Sequence, residues 1–189
     1  SFAIQPPTYA DGMIFVGLAG GAVQAFNAET LESLWVFKDT LGGQPNCTIQ
    51  YSDGYIYTGF WNSETKDANF VCVSATDEDP DNTTETKYAT WTYAVQGGFY
   101  WAGAYVTDKY AIVGSDDGES DSTSDSSYVY CFDKLTGEVV QKVGPHHGDI
   151  RSDISYYDGR IYFTSKGGYL YSYNLKEDGT IDTENLIEP

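Results

Sequence analysis

The residues with chemistry to offer gather in a few places. Gly144-Pro145-His146-His147-Gly148-Asp149, with Arg151 just beyond, puts two imidazoles, a carboxylate and a guanidinium in one short stretch. Imidazole suits general-base work or metal ligation. Adjacent residues of an extended chain point to opposite sides, so His146 and His147 do not readily share one ion, and no third ligand accompanies them. The plain alternative is a turn after Gly144-Pro145. Asp116-Asp117-Gly118-Glu119 with Asp121, and Asp77-Glu78-Asp79-Pro80-Asp81, offer the carboxylate density that Ca²⁺ takes. Neither has the spacing of an EF-hand loop, and such runs also serve as solvated surface. Gln44, Asn46, Trp61, Asn62 and the run Phe99-Tyr100-Trp101 mix aromatic rings with amides, which suits a sugar or peptide through stacking plus hydrogen bonds. The same aromatic run could equally plug a gap in the core. No Ser-His-Asp order, GxSxG, Gly-rich phosphate loop or isolated carboxylate pair points to catalysis, and the expectation is a protein that is not an enzyme.

The 189 residues carry a net charge of −18. No basic patch is available to neutralise phosphate, which argues against nucleic acid, and equally against an anionic membrane surface. With 41% apolar and 16% aromatic residues the chain has a core to bury despite its acidity. It contains no run apolar enough to insert in a membrane. Few Lys and Arg, with many Thr, Ser, Asn, Tyr and Asp, resemble exported bacterial surface proteins, so an extracellular or cell-surface location is expected on composition.

These residues are positioned by a repeat. The runs Ile14-Phe15-Val16-Gly17, Ile56-Tyr57-Thr58-Gly59, Ala111-Ile112-Val113-Gly114 and Ile161-Tyr162-Phe163-Thr164 each follow a turn, at Asp11-Gly12, Asp53-Gly54, Asp108-Lys109 and Asp158-Gly159. A next segment gives Ala25-Phe26-Asn27, Cys72-Val73-Ser74, Cys131-Phe132-Asp133 and Ser172-Tyr173-Asn174. A unit of about 40–50 residues with four short strands is a β-propeller blade. The expected fold is all-β: one propeller domain over 1–189, with four-stranded antiparallel blades near 1–40, 41–93, 94–143 and 144–189. Insertions fall at Trp61–Asn69, Thr76–Lys87 and Ser115–Ser127, and Asp182–Pro189 reads as a weak outer strand at best. Nothing returns to the first blade, so the array reads as open. Ala25, Cys72, Cys131 and Ser172 share one slot that wants a small buried side chain, and a disulfide between Cys72 and Cys131 is not expected.

Ala25-Phe26-Asn27-Ala28-Glu29-Thr30-Leu31-Glu32-Ser33-Leu34-Trp35 resembles the repeat A-x-D-x-x-T-G-x-x-x-W of pyrroloquinoline quinone (PQQ)-type propellers. Cys131-Phe132-Asp133-Lys134-Leu135-Thr136-Gly137-Glu138 matches its first eight positions apart from the leading Ala. The resemblance implies that the Asp and Thr-Gly shape the turn between the outer strands and that Trp35 and Trp91 dock on the neighbouring blade. Gln141 stands where the third blade would carry that Trp. The quinone enzymes with this repeat clamp PQQ with Ca²⁺, acidic and amide ligands and an adjacent-cysteine disulfide. This chain has no Cys-Cys pair and no such ligand set, so PQQ is not expected, and Ca²⁺ at Asp116, Asp117 and Asp121 is the one ion considered.

By the same resemblance, the links between blades crowd one end of the channel. That places Asn46, Trp61, Phe99, Tyr100, Trp101, His147, Asp149 and Arg151 there as a ligand-binding face, one that requires the aromatic residues to be exposed rather than to plug the gap between blades. The reading is a non-catalytic binding or scaffolding module of a larger surface protein, with a glycan, peptide or protein as partner and a second copy completing a ring of about eight blades. The alternatives are a fragment of a PQQ-dependent dehydrogenase-like enzyme and a purely structural spacer.

Overall fold

A computed structural model describes residues 5–188, and the expected contribution of Ser1–Ile4 to the first inner strand lies outside that range. All regular structure among the described residues is β, in four sheets. The first blade is β1 (Thr8–Ala10), β2 (Met13–Leu18), β3 (Ala22–Asn27) and β4 (Ser33–Lys38). The second is β5 (Gln50–Ser52), β6 (Tyr55–Gly59), β7 (Asp67–Ser74) and β9 (Trp91–Gln96). The third is β10 (Tyr105–Val106), β11 (Tyr110–Gly114), β12 (Ser127–Asp133) and β13 (Val139–His146). The fourth is β14 (Ser155–Tyr157), β15 (Arg160–Thr164), β16 (Leu170–Leu175) and β17 (Ile181–Ile187). Each is an antiparallel meander in chain order, the blade of a β-propeller. One strand leaves its own blade: β8 (Glu85–Lys87), inside the Thr76–Lys87 insertion, pairs parallel with β4 as a fifth strand of the first blade. The last strand is no remnant, since the seven-residue β17 pairs with β16 at four positions on either side of a bulge.

Local chemistry explains the turns. Asp11-Gly12, Asp53-Gly54 and Asp158-Gly159 have positive φ at both residues, the conformation of a two-residue hairpin turn. Lys109 replaces the glycine in the third blade, and there Thr107 Oγ1 accepts from the backbone N–H of Lys109 and Tyr110 instead. In the outer turn, Asn27 Oδ1 accepts from Glu29 and Thr30, and Asp133 Oδ1 accepts from Leu135 and Thr136. Four residues on, Gly137 adopts φ 76° and Leu31 adopts φ 60°.

The repeat register is seen in the pairing. Ala25, Cys72, Cys131 and Ser172 stand opposite Phe15, Tyr57, Ile112 and Tyr162 on the preceding strand. All four are buried, and the three cysteines are free thiols. Burial pushes the thiol pKa of Cys47, Cys72 and Cys131 up to about 12. Strand alternation assigns neighbours to opposite faces. Ile56 packs toward the first blade and Tyr57 toward the third, while Ile112 packs toward the fourth blade and Ala111 toward the second. Three cores result, one for each junction between successive blades. Among the described residues no comparable core joins the fourth blade to the first. Tyr9, Leu170 and Ile187 are exposed on those end blades, and Arg160 lies over Ser172, bonding its Oγ at 2.7 Å and its carbonyl at 2.9 Å.

Glycine at the end of the second strand has a packing reason. A Cβ on Gly17 would meet Pro45 at 2.9 Å, one on Gly59 would meet Phe99 at 2.5 Å, and one on Gly114 would collide with Ile150. Pro45, Phe99 and Ile150 each lead into the following blade. In the fourth blade, which has no such neighbour among the described residues, the position is the exposed Thr164. The Leu31 backbone tests the turn logic. A left-handed non-glycine residue costs about 1 kcal/mol, and the Leu31 side chain is 64% exposed with no packing to lose. Leu31→Gly is therefore expected to raise unfolding free energy by about 1 kcal/mol in urea titration.

Candidate functional site

The links between blades are rigid because their polar groups bond across the junctions. Gln44 and Trp61 exchange backbone hydrogen bonds at 2.8 and 3.2 Å. The Phe99 N–H donates to Phe60 O, the Asp116 N–H to Gly98 O and the Ile150 N–H to Ser115 O. The Asp117 N–H donates to Asp149 Oδ1 at 2.8 Å. Thr48 Oγ1 donates to Asp153 Oδ1 at 3.0 Å, so the approaches to the second and fourth blades touch across the channel.

On this frame sits a cluster around Arg151. Its NH2 donates to Asp149 Oδ2 at 2.7 Å, Asp116 Oδ2 at 2.8 Å and both oxygens of Glu64 at 2.9 and 3.0 Å, and its Nε donates to Asp116 Oδ1 at 3.2 Å. The guanidinium lies 4.7 Å from the Tyr100 ring centre, within cation–π range. Tyr100 stacks on Trp61 at 4.4 Å, and Trp61 Nε1–H returns to Asp116 Oδ2 at 2.9 Å. Trp101 flanks Tyr100 at 5.5 Å and holds φ 59°, an outlier for so bulky a side chain. Trp61, Tyr100 and Trp101 are half-buried.

The sequence-derived set divides here. Trp61, Tyr100, Trp101, Asp149 and Arg151 come together. Phe99 was expected at the exposed face and is instead fully buried against Phe70 and Tyr130, because the chain leading into the third blade must fill the space over Gly59. Asn46 is buried, its amide donating to Gln44 Oε1. His147 has other partners, Asp125 Oδ1 at 2.8 Å and the Tyr169 ring at 4.4 Å. His146 points inward because the bulge between Ser127 and Val129 resets the alternation of β13 after Val143; its Nε2 lies 2.8 Å from Tyr173 Oη, and burial lowers its pKa to about 4. Of the three residues considered for Ca²⁺, Asp116 belongs to the Arg151 cluster and Asp117 borders it, while Asp121 is exposed and bonds Thr123. Glu64 was not singled out from the sequence; it lies in a polar insertion with no spacing that marks it.

Glu64, Asp116 and Asp149 offer carboxylate oxygens within 4.8 Å of one another, a set that could ligate a cation. The guanidinium already stands among them as one. No protein-family model matches the chain, and no curated protein matches it. Solved structures do. BamB from Moraxella catarrhalis superposes with TM-score 0.63 at 17% identity, over 90% of this chain and 45% of its own. The computationally designed Ika4 protein superposes with TM-score 0.65 at 13% identity, over 92% of both chains. The designed Ika8 protein gives 0.52 at 11%, over 91% of this chain and 58% of its own. The chain thus spans less than half the length of that BamB. Likeness at these identities shows the fold alone, a run of propeller blades.

One guanidinium cannot neutralise three carboxylates. Burial, reinforced by the charge of Asp116, pushes Asp149 up to about 8, and burial pushes Asp116 up to about 6 against the pull of Arg151. Burial works against the charge of Arg151, but the surrounding carboxylates outweigh it and its pKa rises. The folded state therefore binds more protons than the unfolded chain between the ordinary carboxylate range and pH 8. The cluster's contribution to stability rises as pH falls through that window. Arg151→Met removes the only cation and strands the carboxylates. It is expected to cost about 3–5 kcal/mol at pH 8 and progressively less toward pH 5, as read by urea denaturation across pH.

Proposed function

We propose that the chain is a non-catalytic binding module built on propeller blades, part of an exported bacterial surface protein, and that it binds a peptide or glycan at the channel end. The observation that carries this is the ring series Trp61–Tyr100–Trp101, half-exposed and braced by Arg151. Three large rings left partly in water forgo burial worth about 1.5–3 kcal/mol each, and a backbone outlier at Trp101 fixes how one of them is presented. Flat apolar faces edged by amide and carboxylate groups complement sugars and peptides. The titratable groups do not favour catalysis. Both Asp149 oxygens are engaged, by Asp117 N and Arg151, and the Asp116 oxygens are engaged by Arg151 and Trp61. No PQQ site is proposed, since Cys47, Cys72 and Cys131 stand far apart in the sequence as buried free thiols.

In the same reading, a second copy supplies the neighbours that the first and fourth blades lack. Light scattering on the purified chain is expected to give two chains per particle; a monomer at high concentration would rule this out. Trp101→Ala is expected to abolish binding on a combined glycan and peptide array while changing the melting temperature by no more than about 2 °C. Binding that survives the substitution would remove the site, and an empty array would favour a structural spacer. A quinone absorbance band on adding PQQ and Ca²⁺ would favour the enzyme fragment.

A further inference from the structure

A second recess lies at the junction of the second and third blades, sharing only Asp116 with the Arg151 cluster. It has a volume of about 290 Å³ and walls that include Gln96, Asp116, Asp117, Ser126, Tyr128 and Lys142. One wall is acidic and electrically incomplete. Asp117 Oδ1 accepts the Glu119 N–H at 2.8 Å, but Asp117 Oδ2 is buried and has no hydrogen-bond partner among the described residues. A buried acceptor left bare costs about 1–3 kcal/mol, so this atom calls for a donor. Burial moves the Asp117 pKa up, against the hydrogen bonds of the Glu119 backbone and the Asp149 side chain, and the charges of Glu119 and Glu64 add to the rise.

The other wall already shows what it accepts. Lys142 Nζ sits 4.1 Å from the Tyr128 ring centre and 5.9 Å from that of Tyr130, and no carboxylate pairs with it among the described residues. The ring faces hold an ammonium by cation–π attraction alone.

We propose that this recess takes the ammonium or guanidinium of a lysine or arginine side chain from a basic peptide. Asp117 Oδ2 accepts its N–H, Tyr128 offers its face, and Lys142 swings out to make room. A sugar hydroxyl would also satisfy the bare oxygen, but it would leave the negative charge of Asp117 without a cation beside it. The net charge of −18 favours the approach of a basic partner.

The test is an NMR titration with the peptide acetyl-Gly-Lys-Gly-Lys-Gly-amide at 0.15 M salt, against the same peptide with Nε-acetylated lysines. Binding of the free-lysine peptide alone, with shifts centred on Tyr128 and Gln96, is expected. Asp117→Asn should weaken it at least fivefold. Lys142→Met, which removes the internal competitor for the Tyr128 face, should tighten it two- to fivefold and keeps the test decisive even if the Asp117 variant fails to fold. Equal binding of the acetylated peptide, indifference to Asp117→Asn, no gain with Lys142→Met, or displacement by neutral oligosaccharide would each overturn the proposal. Trp101→Ala should leave this binding unchanged, so its outcome is separable from that of the channel-end site.

Discussion

The structure depends on a polar contact made once at every blade junction. An outer-strand side chain of one blade reaches a backbone group of the next. Trp35 Nε1–H donates to Ala75 O at 3.1 Å, and Trp91 Nε1–H donates to Lys134 O at 2.9 Å. At the third junction Gln141 does the same work with an amide, donating to Ile181 O and accepting the Ile181 N–H. A four-stranded sheet with two apolar faces is unstable alone, and each junction buries one face of each partner. The hydrogen bond adds orientation to that burial, because a buried indole N–H without an acceptor would be costly. The Trp91 ring also lies against Gly137, where a Cβ would sit 2.5 Å from it. The turn glycine therefore answers both to its φ and to the preceding blade.

The Arg151 cluster follows from the same junctions. Its members come from the insertion after β6, the end of β11 and the approach to β14, so it forms only when three blades are docked. Ionic groups this buried are held by geometry more than by net energy. The aromatic rings over them keep water away from the carboxylates, and the backbone ties of Asp116 and Asp117 to the links fix where the carboxylates point.

Much of this was legible in the sequence because it rests on periods. The pairing of Ala25, Cys72, Cys131 and Ser172 with successive second strands follows from a pattern repeated four times, and the docking roles of Trp35 and Trp91 follow from the repeat motif. Phe99 shows the limit. An aromatic beside a link looks the same in sequence whether it faces solvent or fills the space over a glycine. Gly59 is the partner that decides it for Phe99, and it lies far away in sequence. Glu64 was hidden for another reason, and Asp116 was singled out only as a Ca²⁺ candidate, not as a partner of Arg151. Charged residues in polar insertions carry no periodic signal, and only the docking of separate blades reveals that they surround one arginine.

The strand Glu85–Lys87 carries a consequence for how the molecule comes apart. It leaves the second blade, pairs with Trp35–Phe37 in the first and returns to complete its own sheet at Trp91. Repeat arrays commonly fray from their ends, one unit at a time. Here the first blade cannot peel away without also tearing a strand from the insertion of the second, so these two blades form one cooperative block in hydrogen exchange. Among the described residues the fourth blade has no such strap, so it is free to exchange independently of that block.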